Sequence, residues 1–191
     1  MEPRMDVLDR FHQAVAAFDA AVRAVGSEQW ALPTPDAEWS VRDLVQHVVY
    51  EVRWVAPLLE GSTIAEVGDS LDGDLLGDDP LGAWTAASAE ALEVAGRPGA
   101  LDRAVHLSMG ETAAAEYLAQ LASDGAIHSW DLSRAIGAPE ELDSGLVEFV
   151  WAFLEPQAEG WRQAGAFGPR VEVPASADRL TQLLALTGRA R

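Results

Sequence analysis

The 191-residue chain contains no cysteine. Disulfides, thiolate metal ligands and a protein-borne thiol nucleophile are thereby excluded. Any bound metal must be held by His, Asp or Glu. Positive charge is also scarce. Thirteen Lys and Arg face 31 Asp and Glu, for a formal net charge of −18 at pH 7. A surface this negative repels phosphate backbones and anionic lipid heads, so neither nucleic acid nor a membrane is expected as a partner. No apolar run reaches the roughly 18 residues of a membrane span. The first residues, Met1-Glu2-Pro3-Arg4-Met5-Asp6, lack the basic-then-apolar pattern of a signal peptide, which makes the cytoplasm the expected location. The acidic stretch Asp69-Ser70-Leu71-Asp72-Gly73-Asp74 lacks the spacing of an EF-hand loop and reads as a solvated loop.

What the chain does have is apolar periodicity. Hydrophobic residues make up 49% of it, with seven tryptophans, enough for one packed domain. Leu8, Phe11, Val15, Phe18, Val22 and Val25 recur at helical spacing, with Gly26 as a stop. Ser40-Val41-Arg42-Asp43 resembles a capping box and opens a second helix through Val55, closed by Pro57 and Gly61. Asp79-Pro80 starts a third, ended by Gly96. Residues 100–110 read as extended, with Val105 and Leu107 alternating against His106. A fourth helix is predicted from about Thr112 to Ile136, with Tyr117, Leu121, Asp124, His128, Leu132 and Ala135 on one face. A fifth follows Pro139, and Pro156 kinks or ends it. Val171-Glu172-Val173-Pro174 reads as a short extended piece, and residues 177–187 as a last short helix. The expectation is an all-α fold: a four-helix bundle over residues 1–164, with a small C-terminal extension, 165–191, packed on it. Short connections favour up-and-down packing, and the long 61–79 connection allows one crossover.

Two of the four histidines, His47 and His128, sit on or beside core-facing stripes. Asp124 lies one helical turn before His128, on the same face. An ionised carboxylate facing a core needs a partner, which can be a histidine proton, an arginine or a metal ion. Two readings follow. In one, Asp124 and His128 pair with each other and His47 is unrelated. In the other, His47 comes from a facing helix to complete a two-histidine, one-carboxylate set, suited to Zn²⁺ foremost and also to Ni²⁺ or Fe²⁺. Glu51, one turn past His47, and Asp131 and Arg134, past Asp124, are candidates to support the ligands or contact a substrate. For Glu51 a solvated position is preferred, and for Asp131 a solvent contact or a local helix pair is at least an equal alternative. His12 and His106 have no comparable partners and read as ordinary surface or boundary residues.

The segment from Trp39 to Val48, Trp39-Ser40-Val41-Arg42-Asp43-Leu44-Val45-Gln46-His47-Val48, resembles the first signature of the DinB-like metal-binding bundles. More narrowly, it resembles their actinobacterial branch related to mycothiol-dependent maleylpyruvate isomerase. Asp124-Gly125-Ala126-Ile127-His128-Ser129-Trp130-Asp131-Leu132-Ser133-Arg134-Ala135 is similar to the second signature. Phe167-Gly168-Pro169-Arg170-Val171-Glu172-Val173-Pro174 and Leu186-Thr187-Gly188-Arg189 also fit an uncharacterised branch. The resemblance implies a DinB-like four-helix bundle with a divalent metal held by His47, Asp124 and His128. It further implies mycothiol or a similar low-molecular-weight thiol as cofactor, a small-molecule substrate, and a homodimer as in many relatives. The isomerase carries Glu where this chain has Asp124, and no residue here matches its substrate-binding arginine by motif. Three functions fit: a thiol-dependent metalloenzyme catalysing transfer or isomerisation of a small electrophile, a non-catalytic metal- or small-molecule-binding bundle with a stress or regulatory role, and a purely structural pairing of these residues.

Overall fold

A computed structural model describes residues 3–36, 38–108 and 110–191, with side chains from residue 7 onward. Helix α1 (Pro3–Arg23) buries Phe11, Ala14, Val15, Phe18 and Val22 along one stripe. Helix α2 (Val41–Arg53) opens on the expected capping box. Asp43 Oδ2 accepts from the Ser40 amide at 2.9 Å, and Ser40 Oγ accepts from the Asp43 amide at 3.3 Å. The helix expected to run on through Val55 breaks at Trp54 and restarts as α3 (Val55–Glu60). Pro57 is the cause. It has no N–H for the Arg53 carbonyl, and its ring crowds that carbonyl in a continuous helix.

The 61–79 connection holds one short helix, α4 (Ile64–Val67), and is otherwise irregular. In the acidic stretch, Asp74 holds the loop and ties it to α2. Asp74 accepts from the Leu76 and Gly77 amides at 3.0 and 3.2 Å and pairs with Arg42 at 3.0 Å. Helix α5 (Pro80–Ala95) follows its Asp79 cap. Of the stretch expected to be extended, Ala100–Asp102 instead form a 3-10 turn, and the rest enters a hairpin, β1 (Ala104–Leu107) against β2 (Gly110–Ala113). Helix α6 (Ala114–Ile136) therefore starts two residues later than its periodicity suggests, because Thr112 pairs with Val105 across the hairpin. Helix α7 (Ser144–Leu154) turns at Pro156 into α8 (Ala158–Gln163). Val171–Pro174 is coil rather than strand, tied down where the Val171 amide donates to the Ala185 carbonyl. Helix α9 (Arg179–Leu186) packs on α7.

The bundle is made by α1, α2, α5 and α6. Helix α1 packs on α6 and α5, and α2 packs on the same two. The order around the bundle is therefore α1, α6, α2, α5, with consecutive helices α1 and α2 set diagonally. This differs from the simple up-and-down neighbour order that short connections favour. The first connection passes across one end of the bundle. Small residues let α1 and α6 approach closely: a Cβ added at Gly125 would lie 3.6 Å from the Ala14 Cβ. Phe11, Phe18, Trp84 and Trp130 fill the interior. The diagonal order gives α2 and α6 a shared seam, and His47, Glu51, Asp124 and His128 lie along it.

Candidate metal centre

Helix α2 supplies His47, and α6 supplies Asp124 and His128. The four-residue spacing puts Asp124 and His128 on one face. His47 Nε2 lies 3.5 Å from Asp124 Oδ2, and His128 Nε2 lies 3.3 Å from Asp124 Oδ1. One donor atom from each residue falls within 4.8 Å of the others. The imidazoles stand edge to face at 5.1 Å, and the Trp39 ring lies 4.8 Å from one and 5.7 Å from the other. The nitrogen–oxygen separations are long for charge-assisted hydrogen bonds. Each imidazole faces a different oxygen of the Asp124 carboxylate, and the three donors lie close enough together to approach one ion. The donors fit a divalent ion with room for further ligands.

Behind His128 stands a second layer. His128 Nδ1 lies 3.0 Å from Asp131 Oδ2, on a carboxylate with no exposed surface. Such a contact fixes the ring and aims Nε2 at Asp124. Asp131 in turn accepts from Arg189 Nε at 3.0 Å and Nη2 at 2.8 Å. Arg189 Nη2 also donates to Asp36 Oδ2 at 3.0 Å, and Nη1 to the Thr187 carbonyl at 3.2 Å. Asp36, His128 and Asp131 form a second cluster of metal-capable groups. There the Arg189 guanidinium already supplies the positive charge.

Without an ion, the electrostatics follow these contacts. Burial alone would raise the Asp124 pKa, but His128 and His47 hold it well below the usual carboxylate range. Burial also works against a charged His128. The Asp124 and Asp131 carboxylates outweigh it and push the ring up to about 10. Asp131 is held low against its burial by His128 and Arg189. Glu51 moves the other way: burial first, then the Asp124 charge, push it up to about 7.

The three donors line a cavity of about 420 Å³, a size typical of small-molecule sites. Glu51 is on its wall rather than in solvent. Asp131 supports His128 from behind. Arg134 is not brought to the site. It pairs with Glu140 at 2.8 Å, lies near the Trp130 ring, and is 47% exposed. Sequence reasoning missed Arg189, Asp36 and Trp39, and the aromatic wall formed by Phe153, Trp161 and Phe167. Trp39 stands at the head of the first signature and Arg189 at the end of the Leu186–Arg189 segment, but neither segment says where the indole or the guanidinium goes. His12 and His106 are exposed, as expected.

Two uncharacterized proteins from two strains of Mycobacterium tuberculosis are each 29% identical over 193 residues, covering 97% of this chain and 98% of theirs. The crystal structure of the mycothiol-dependent maleylpyruvate isomerase shares the fold with a TM-score of 0.61, at 18% identity, over 92% of this chain and 79% of that one. The profile of the mycothiol maleylpyruvate isomerase N-terminal domain matches residues 11–133, close to two thirds of the sequence and all three converging donors. The chain belongs to the mycothiol maleylpyruvate isomerase N-terminal domain family.

Proposed function

We propose that the protein binds one divalent metal through His47, Asp124 and His128, Zn²⁺ foremost and Ni²⁺ or Fe²⁺ as alternatives, and works with a low-molecular-weight thiol on a small electrophilic substrate by transfer or isomerisation. The observation that carries this reading is the convergence of two Nε2 atoms and one carboxylate on a small-molecule cavity, with His128 braced by Asp131. Membership of a family named for mycothiol supports the choice of thiol. When bound, a divalent ion would lower the pKa of a coordinating thiol and so supply a thiolate nucleophile at neutral pH.

The chain's own residues do the rest. Asp131 holds the His128 ring in one orientation, and Trp39 covers both imidazoles. In the metal-free cavity Glu51, pushed up to about 7 by burial and the Asp124 charge, can take or return a proton at its carboxyl near neutral pH.

Isothermal calorimetry of the zinc-loaded protein with mycothiol, and separately with bacillithiol, tests the thiol part. Saturable binding of a thiol that disappears in His47→Ala is expected. A metal-loaded protein that binds neither thiol would leave a metal-binding bundle without thiol chemistry.

A further inference from the structure

The two histidines of the candidate centre are held differently. His128 has the buried Asp131 carboxylate on its Nδ1, and that contact fixes the ring. The polar contact of His47 among the described residues is Asp124, on its Nε2. What stands against the His47 ring is the Trp39 indole, with centroids 4.8 Å apart and planes tilted by 41°. A ligating imidazole that can turn loses its aim, so packing is the restraint left to this one.

Trp39 lies outside the helices. It stands just before the Ser40 cap of α2, at the end of a turn that starts at Asp36. The Trp39 amide donates to the Asp36 carbonyl at 3.1 Å. The Thr34 hydroxyl donates to the Asp36 and Trp39 carbonyls at 3.1 and 3.0 Å. Within the turn Glu38 has φ +79°, a left-handed conformation that a residue with a Cβ keeps only where its surroundings impose it. The Asp36 side chain ties this turn to the C-terminal tail, where its Oδ2 accepts from Arg189 Nη2 at 3.0 Å.

Arg189 is therefore shared. Its Nε and Nη2 hold Asp131 at 3.0 and 2.8 Å, and the same Nη2 reaches Asp36. A planar guanidinium can hold two carboxylates at fixed angles, which an ammonium on a flexible stem does less well.

We propose that Asp36 and Trp39 are positioning residues for His47. Arg189 anchors Asp36, the turn carries Trp39, and the indole keeps the His47 ring aimed at Asp124. One guanidinium thus serves both histidines, His128 through Asp131 and His47 through the Asp36–Trp39 turn.

Asp36→Ala and Trp39→Leu, alone and together in the full chain, test this. Asp36 is 37% exposed, and its turn keeps the Thr34 bonds, so truncation should leave the fold intact. In the chelated protein the imidazole C–H resonances of His47 feel the ring current of the nearby indole. Trp39→Leu should move them, and Asp36→Ala should move them in the same direction. In the zinc-loaded protein each variant should speed zinc release to excess chelator about fivefold, the size expected for a partly exposed ion pair. The double variant should release zinc no faster than the faster single one, because both substitutions act through the same ring. His47 resonances that stay in place in Asp36→Ala overturn the proposal. So do release rates equal to the parent's, or rates that multiply in the double variant. The kinetic arm rests on the reading of these residues as a metal centre, and the resonance arm needs no metal. A parent that takes up no zinc therefore ends the metal reading and leaves the resonances to decide this one.

Discussion

Asp131 is the residue whose environment says most about the site. It is fully buried and ionised, held by a histidine on one side and an arginine on the other. A buried ion of this kind is retained only when every lone pair is engaged. Asp131→Asn keeps the shape and removes the charge that makes His128 a better donor. Loss of such a supporting carboxylate is expected to weaken metal binding about 10- to 100-fold, read by competition with a chromophoric chelator. An affinity equal to the parent's would show that Asp131 plays no part in the site. Arg189→Met removes the other partner and leaves the Asp131 charge buried with His128 alone. A loss of about 3 kcal/mol is expected in urea unfolding of the metal-free protein. A loss within the usual surface range of about 0.5 kcal/mol would mean that the guanidinium is not a structural partner.

At the scale of elements, the site is a junction of α2, α6 and the tail after α9. The tail is placed by a backbone crossing. Gly188 has φ +91°, and a Cβ there would lie 2.8 Å from the Gly168 Cα. Gly188→Ala therefore meets both a left-handed backbone and a clash, at an expected cost of about 1–3 kcal/mol by thermal or urea unfolding. It should also displace Arg189, so metal affinity should fall together with stability. A variant as stable as the parent would contradict the crossing.

The elements that show in the sequence are those written in local chemistry. Ser40 and Asp43 announce α2 because a capping box is a four-residue signal. Asp124 and His128 share a face because four residues make about one helical turn. What the sequence leaves open depends on distance along the chain. Arg189 is 58 residues from Asp131 and 153 from Asp36, and no periodicity encodes those meetings. The pairing of Thr112 with Val105 overrides a helical pattern that looks continuous from Thr112. The diagonal placement of α1 and α2 is likewise set by packing. It is this placement that brings His47 to α6, a step that helical spacing alone could not supply.

At the scale of the whole molecule, an acidic bundle concentrates its ionisable burial in one cavity. No helix among the described residues is long and apolar enough to cross a membrane. The pH dependence of the metal-free protein should report the cavity. His128 is raised from 6.5 to about 10. A raised histidine stabilises fully below its unfolded value, and that contribution is lost as pH climbs toward the folded one. Glu51, raised from 4.5 to about 7, has the same sign: its native carboxyl keeps a proton that the unfolded chain gives up, so stability falls across that interval. Asp124 and Asp131 are lowered, and their contribution is lost only in acid. The chelated protein should thus melt at progressively lower temperature from pH 6.5 to 9. His128→Ala should flatten that slope, and a parent profile already flat would contradict the assigned contacts. Metal should oppose the trend, because binding requires His128 to release its proton and is favoured as pH rises.

On the proposed reading, His47, Asp124 and His128 act together on one ion. Elemental analysis of the purified protein beside His47→Ala tests it most directly. About one equivalent of a divalent metal per chain is expected in the parent, and far less in the variant, because two remaining ligands on one helix hold an ion poorly. An equivalent that survives the substitution, or a parent that carries no metal and takes none up when Zn²⁺ is supplied, would contradict it.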